Sequence, residues 1–253
     1  MNLSELDAWC RSFLEIEAFN KIDDSLNGVQ VGRRAGEICR AAFAVDACAE
    51  TIRRAAEEKA QVLFVHHGLF WGTPARIEGV LLERVRSLLD RDIALYACHL
   101  PLDAHPQYGH NAVLARMLGL SRIQPFGFYK GVHLGFQGTL DPPVSLEEAV
   151  RRILPDGSKP RTILPFGSGR ISSAAVVSGG APLELFEAVE KGLDLYITGE
   201  PSHSVYHAAQ EAAINFFAAG HYATEVWGVR AVAEKLARET GVETIFVEVP
   251  TGL

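Results

Sequence analysis

Short apolar runs alternate with amphipathic stretches along the whole chain. Eight of these runs are rich in β-branched or aromatic residues, and several are nearly continuous, as is typical of strands buried on both faces of a sheet. They are CRAAFAVD, QVLFVHHG, IALYACHL, GVHLGFQGTL, SSAAVVSGG, LDLYITGE, AINFFAAGH and ETIFVEVP. Helical periodicity separates many of them, so the pattern predicts an α/β fold with largely parallel or mixed sheets.

Two helix starts are marked by residue types that cap helix N-termini. Ser4 followed by Asp7 predicts a helix from there to about residue 19. Ser145 followed by Glu148 predicts a second helix that ends near Leu154.

The two halves of the chain resemble each other. Val45 aligns with Val177 and Val65 aligns with Ile197 at the same offset of 132 residues, within a strand–helix–strand pattern in both halves. The likeness predicts an internal duplication with its junction in the stretch PFGFYKGVHLGF, although two unrelated βαβ segments would also show some similarity. The predicted architecture is two similar α/β lobes, residues 1–126 and 127–253.

The composition and charge restrict the class of partner. The chain has 24 Lys and Arg against 31 Asp and Glu, a net charge of −7, which disfavours binding to nucleic acid through its phosphates. No apolar run approaches the roughly 18 residues of a membrane span, and the first 20 residues are acidic and helical, unlike a signal peptide. We therefore expect a cytoplasmic protein that binds neither membranes nor nucleic acid.

Histidines and carboxylates follow three of the predicted strands. His66 and His67 end QVLFVHH, Asp103 follows IALYACH, and His221 and Glu225 follow INFFAAG. In α/β sheets, ligand sites form at the carboxyl ends of the strands. Each feature alone has an ordinary interpretation, because a His pair can bind a neighbouring loop and a His/Glu pair four residues apart is usually a surface pair.

The convergence of these side chains favours metal binding. Imidazole and carboxylate donors suit divalent ions such as Zn²⁺, Fe²⁺, Mn²⁺ or Ni²⁺. Five donors exceed what one tetrahedral ion with an open position needs, and they fit two ions that share a bridging carboxylate. The sequence therefore predicts a dinuclear site between the two lobes, with two divalent cations per chain whose identity (Zn, Fe, Mn, Ni or Mg) stays open.

Five ordered motifs carry a resemblance to a known family. They are DDSLNGVQVG, VHHGLFW, CHLPLDAHPQYGHN, TGEPSHSVYHAA and AAGHYATEVWGVRAV. Together they resemble the Ngg-interacting-factor-three-like family, often labelled GTP cyclohydrolase I type II, in its short bacterial form. The resemblance implies a dinuclear metal site formed by His66, His67, Asp103, His221 and Glu225, and a ring-shaped homohexamer. The chain departs from the family's usual motif at Leu100 and Pro101 but keeps His99 and Asp103.

The expected function is a metal-dependent hydrolase acting on a nucleotide or related small molecule, as the family label implies. A non-catalytic metal-binding scaffold or regulatory partner is the alternative, because no general acid stands out. The roles of His99, Glu200 and His207 stay open between orienting a ligand and packing. Gly179-Gly180 completes no phosphate-binding loop and is interpreted as a turn.

Overall fold

The computed structural model describes residues 1–253. The chain divides into two compact units, residues 1–102 with 228–249 and residues 103–227 with 250–253. Two helices, α4 (Leu100–Ala104) and α9 (His221–Thr240), have residues in both units.

The first unit is built around a five-stranded sheet with the order β1-β4-β3-β2-β11, in which only the β1–β4 pair is antiparallel. A short 3₁₀ helix, Ile16–Phe19, follows the first α-helix. The other elements of this unit are α1 (Leu3–Leu14), β1 (Gly28–Val31), β2 (Arg40–Asp46), α2 (Ala49–Glu57), β3 (Val62–His67), α3 (Gly79–Asp90), β4 (Ala94–Ala97) and β11 (Glu243–Phe246).

The apolar run of β3 forms a strand because both of its faces are covered. Val62 and Phe64 pack into one cluster of buried side chains, whereas Leu63 and Val65 pack into another. Successive side chains point to opposite faces of a strand, so a continuous apolar run fills two cores at once. The strand is thereby held as one of the central strands of the sheet, and its last two residues are His66 and His67.

The second unit contains a six-stranded sheet with the order β5-β6-β8-β9-β10-β7. Within it, β8, β9 and β10 run parallel, and the other neighbouring pairs are antiparallel. A 3₁₀ helix spans Pro182–Glu184. The other elements are α5 (His110–Leu118), β5 (Ser121–Tyr129), β6 (Val132–Val144), α6 (Leu146–Ile153), β7 (Thr162–Pro165), β8 (Ile171–Val176), α7 (Leu185–Glu190), β9 (Leu195–Thr198), α8 (Val205–Glu211) and β10 (Asn215–Ala218).

The α/β fold class is confirmed, and the two sheets share a local pattern. In the first unit Ala42 pairs with Leu63 in a parallel ladder, and in the second unit Ala174 pairs with Leu195. Each residue of the second pair lies 132 positions after the matching residue of the first pair. The sequence alignment of the two halves uses the same offset of 132 residues. Both ladders extend through a third parallel strand, β4 or β10. The two segments that the sequence alignment pairs therefore occupy equivalent positions in their own sheets.

The predicted division at residues 126 and 127 differs from the two compact units. The stretch at the predicted junction forms the hairpin of β5 and β6, in which Lys130 and Gly131 take the positive φ angles of a tight turn. The glycines in this stretch therefore belong to a hairpin within the second unit and not to a junction between the units. Residues 228–249 belong to the first unit although they follow the second in sequence.

One of the two predicted helix starts is confirmed and the other is wrong by two residues. The Ser145 side chain accepts a hydrogen bond from the Glu148 N–H and caps α6. The first helix is instead capped by Asn2, which forms a reciprocal capping box with Glu5. It ends at Leu14, because Glu15 adopts a left-handed conformation before the 3₁₀ turn. None of the helices combines the length and apolar character needed to cross a membrane.

Candidate metal centre

Two neighbouring histidines end β3 in the first unit. His66 is fully buried and His67 is partly exposed, and their ring centroids lie 4.6 Å apart. The imidazole of His99, which follows β4, lies 5.0 Å from the His66 ring and 5.7 Å from the His67 ring. One ligand atom from each of the three imidazoles lies within 4.8 Å of the others. We call these three residues the histidine cluster.

Each ring of the pair is anchored through its Nδ1 atom. His66 Nδ1 lies 3.0 Å from the carbonyl oxygen of Cys98, and His67 Nδ1 lies 2.8 Å from Asp46 Oδ1. A carbonyl oxygen can only accept, so His66 Nδ1 donates this hydrogen bond, and in the neutral ring Nε2 then carries the lone pair. Asp46 is the last residue of β2 and pairs with His67 across the parallel ladder. The ends of neighbouring strands thus supply the acceptors.

His99 is held by the segment that precedes β1. Its Nδ1 lies 2.9 Å from Asp23 Oδ1, and its main-chain N–H donates to Asn27 Oδ1 at 2.8 Å. The carboxylate of Asp23 is only 1% exposed. Burial would raise the pKa of Asp23, but hydrogen bonds from His99, Asn27 and the Ser25 N–H outweigh it and lower the pKa.

The second unit places a histidine and two carboxylates at the start of α9. His221 Nε2 lies 3.1 Å from Glu225 Oε1, one helical turn later, and His221 Nδ1 lies 2.6 Å from Glu200 Oε1. Burial alone would lower the pKa of His221, but Glu225 and Glu200 outweigh it and raise the pKa to about 9. Glu225 is 3% exposed. We call His221, Glu225 and Glu200 the His221 group.

A glycine turn packs directly on this group. Gly179 has a φ of +66°, and a Cβ atom built there would lie 2.3 Å from Glu225 Oε1 and 3.3 Å from His221 Nε2. Its main-chain N–H donates to Thr224 Oγ1 at 3.0 Å. A Cβ on Gly199 would lie 2.8 Å from the Cα of His221. The two glycines therefore allow the backbone to approach the first turn of α9 closely.

Asp103 is buried in the second unit. Its Oδ1 accepts a hydrogen bond from Ser178 Oγ at 3.0 Å, and Asn111 donates to its carbonyl oxygen at 3.3 Å. Asn111 also accepts from the Ser178 N–H at 2.6 Å, so Asp103 sits in a connected polar network. A ligand atom of His110 lies within 4.8 Å of an Asp103 carboxylate oxygen.

The donor chemistry of these residues fits a divalent cation. Metal-binding histidines commonly donate their second ring N–H to a carboxylate or a main-chain carbonyl, which fixes the tautomer and the ring orientation. His66, His67 and His221 follow this pattern, with acceptors on Cys98, Asp46 and Glu200 respectively. Gly179 supports the fit, because only a residue without a Cβ leaves room beside the Glu225 carboxylate. The structure thus contains His, Asp and Glu groups that could hold a metal ion.

The sequence analysis names these side chains as candidate ligands, but it does not predict several of the groups that hold them. Asp23 lies within the DDSLNG motif, yet its contact with His99 joins residues 76 positions apart. Asp46 is simply the last residue of a predicted strand. Of the two other residues whose roles were open, Glu200 contacts His221, whereas His207 is exposed on α8 with its ring 5.3 Å from Tyr206.

The fold and these side chains define a class of two-sheet α/β protein that carries groups able to hold a metal ion. The chain belongs to the Duf34/NIF3 (NGG1p interacting factor 3) family, whose sequence profile matches residues 1–252. This finding confirms the resemblance drawn from the five sequence motifs.

Two relatives match over their full length. A protein of Treponema pallidum named GTP cyclohydrolase 1 type 2 homolog is 44% identical over 286 residues, with all of both chains covered. A protein of Archaeoglobus fulgidus with the same name is 42% identical over 253 residues, again with full coverage of both.

Solved structures show the same fold. TTHA1606 from Thermus thermophilus superposes with a TM-score of 0.91 at 38% identity, and both chains are fully covered. Reduced HcgD from Methanocaldococcus jannaschii superposes with a TM-score of 0.85 at 27% identity, over 98% of each chain.

Proposed function

We propose that this protein is a metal-dependent hydrolase with a dinuclear centre. The proposed ligands are the five residues that the motifs single out. These are His66, His67, Asp103, His221 and Glu225. When bound, two divalent cations would lower the pKa of a shared water towards neutrality and polarise the bond to be cut.

The observation that carries the proposal is the anchoring of all three histidines in this set. Each of them has its Nδ1 atom within 3.0 Å of an oxygen acceptor. Such contacts cost side-chain freedom, and an ordinary surface histidine does not need them. They orient each ring so that its Nε2 atom could serve as a metal ligand, and histidines in metal sites are supported in this way.

The protein's own residues would orient the donors and control their protonation. Asp46 and Glu200 would hold the rings of His67 and His221 and strengthen them as ligands. The Gly179 turn would keep Glu225 in one orientation, since any side chain at that position would collide with the carboxylate. Glu225 has two carboxylate oxygens, so unlike the imidazoles it could bind both ions, and Asp103 is the other carboxylate in the set.

The proposed substrate is a nucleotide or a related small molecule. Support comes from the relatives at 42–44% identity, which are named GTP cyclohydrolase 1 type 2 homolog. Opening of a purine ring such as that of GTP is a hydrolytic reaction, and a metal-activated water suits it.

We further propose that the chain self-associates as a homohexamer, as the family resemblance implies. The first unit exposes Val80 and Leu89 of α3 at 69% and 56%, and the second exposes Phe128 and Leu183 at 61% and 55%. We propose that these side chains become buried where copies of the chain pack against one another. Sedimentation equilibrium is expected to give six chains per particle, and a monomer at micromolar concentration would contradict this part of the proposal.

The experiment that tests the function is a turnover assay on apo-protein reloaded with Mn²⁺ or Zn²⁺. GTP, other nucleotides and phosphoesters are supplied, and products are identified by mass spectrometry. Metal-dependent product formation that is lost in Glu225→Ala supports the hydrolase. The matched control is Glu234→Ala, because Glu234 is exposed on the same helix.

The same assay separates the hydrolase from a non-catalytic scaffold. A protein that binds its cations tightly yet forms no product from any substrate in the panel contradicts the hydrolase. It would then match a metal-binding scaffold or a regulatory partner.

A further inference from the structure

His99 is built into the first unit as firmly as the two histidines beside it. Its side chain is 23% exposed, and it lies among the histidine cluster at the carboxyl end of the sheet. The His99 and Trp71 rings form a T-shaped contact with a centroid distance of 5.0 Å and an interplanar angle of 77°. His99 is therefore close to the other two imidazoles and still open to solvent on one side.

The support beneath His99 is more extensive than packing requires. The buried carboxylate of Asp23 accepts four hydrogen bonds. The donors are His99 Nδ1 and the Ser25 N–H at Oδ1, and Asn27 Nδ2 and the Leu100 N–H at Oδ2. Burying a carboxylate is costly unless such bonds compensate it. This arrangement holds the His99 ring by Nδ1 and the His99 backbone by Asn27.

The three rings of the cluster share one mode of support. In each, Nδ1 contacts an oxygen, supplied by Cys98, Asp46 or Asp23. With a donor N–H at Nδ1, the remaining ring nitrogen, Nε2, carries the lone pair that binds a metal. Ligand atoms of the three rings within 4.8 Å of one another can converge on one cation with small side-chain movements, because zinc–nitrogen bonds are about 2.0–2.1 Å long.

We propose that His99 is a further imidazole ligand of a divalent cation bound at the histidine cluster, with Asp23 as its positioning residue. The inference rests on the proposed metal function, and it adds a donor to the five residues of that proposal. It also gives the DDSLNG segment a role, because Asp23 and Asn27 of this segment both contact His99.

The test uses full-length protein loaded with Co²⁺ and its proton NMR spectrum. A ring N–H on an imidazole bound to Co²⁺ gives an exchangeable signal that is strongly shifted out of the normal range. The five-residue set contains three histidines, so it predicts three such signals, whereas His99 as an additional ligand predicts four. Counting these signals in the wild-type protein does not depend on how any variant folds.

Two variants and a control assign the fourth signal. His99→Gln is expected to lose one signal and to weaken Co²⁺ binding at least tenfold, about the least that losing a supporting contact costs. Asp23→Asn is expected to shift that one signal and leave the others in place, which a purely structural role would not do. His203→Gln is the control, because His203 is exposed in the second unit and should leave the spectrum unchanged.

The outcomes separate the inference from the proposed function. Four signals, of which one disappears in His99→Gln, support His99 as a ligand. Three signals with unchanged Co²⁺ affinity in His99→Gln overturn the inference and leave the dinuclear proposal standing. Wild-type protein that binds no Co²⁺, Zn²⁺ or Mn²⁺ overturns both.

Discussion

The histidine cluster of the first unit and the His221 group of the second hold their candidate metal ligands in place in different ways. In the cluster, all donors are imidazoles, and acceptors from neighbouring strands and a preceding loop hold them. In the His221 group, the imidazole and the carboxylate sit one helical turn apart on α9, and a glycine turn packs over them. The cluster depends on hydrogen bonds across a sheet edge, whereas the group depends on helix geometry and close packing.

This difference indicates which substitutions each group tolerates. A residue of the cluster can be lost while the other imidazoles keep their own separate acceptors. In the His221 group, His221 contacts both Glu200 and Glu225, and Gly179 borders both His221 and Glu225. A substitution in the His221 group is therefore expected to disturb several of its side chains, whereas a substitution in the histidine cluster should disturb only one.

The largest effect is expected at Glu225. Glu225→Ala should lower the occupancy of both cations, because it removes the carboxylate proposed to bridge them, whereas His67→Ala should mainly empty one. Metal titration with calorimetric detection measures both. Glu234→Ala, the exposed control on the same helix, should bind as the wild type does. Glu225→Ala that still binds two ions with unchanged affinity would remove the bridging role and make Asp103 the next candidate.

Gly179→Ala should destabilise the fold and disturb Glu225 together. The new Cβ would lie 2.3 Å from Glu225 Oε1, and the positive φ adds strain of about 1–2 kcal/mol. Gly192→Ala is the matched control, since Gly192 has a φ of +65° and open space around its would-be Cβ. The free energy of unfolding in urea should fall by about 1–3 kcal/mol more for Gly179→Ala than for the control. Equal losses would show that the close approach to Glu225 is unimportant.

Smaller losses of metal affinity are expected when the carboxylates that accept from the histidine Nδ1 atoms are replaced. Asp46→Asn and Glu200→Gln should each lower metal affinity by about 10- to 100-fold, because they loosen His67 and His221 without removing a donor. Glu211→Gln, at an exposed position on α8, serves as control. If the comparison of the two groups holds, Asp46→Asn weakens one cation and Glu200→Gln weakens both. The reverse pattern would contradict it.

The smallest effect is expected at Trp71, whose ring borders His99. Binding of Co²⁺ should quench its fluorescence, and Trp71→Phe should abolish most of that quenching while changing Co²⁺ affinity by no more than about twofold. Trp9→Phe, at a tryptophan that packs on Phe13, should leave the quenching in place. Quenching that is as large in Trp71→Phe as in the wild type would place the cation away from the histidine cluster.

The parts of the molecule that the sequence predicts are those with local causes. Continuous apolar runs predict the strands β3 and β9. The histidines at the end of β3 and the start of α9 are predicted to lie at strand ends because they come at the end of apolar runs. The sequence predicts a turn at Gly179-Gly180, and the chain bends there, but nothing in its composition indicates that it packs on Glu225. The contact is tertiary.

The unpredicted features depend on residues far apart in the chain. Asp23 reaches His99 across 76 positions, and Arg40 meets Glu243 across 203. The return of residues 228–249 to the first unit has no local signal, because α9 continues without a glycine or proline beyond Gly228. Periodicity predicts which residues are buried, and only the fold decides which buried residues meet.

The central claim is the proposal that this chain holds two divalent cations. Elemental analysis of apo-protein reconstituted with Zn²⁺ or Mn²⁺ and freed of excess metal tests it most directly. Wild-type protein is expected to approach two equivalents per chain, with Glu234→Ala unchanged. Saturation at one equivalent, or no bound metal, would contradict it.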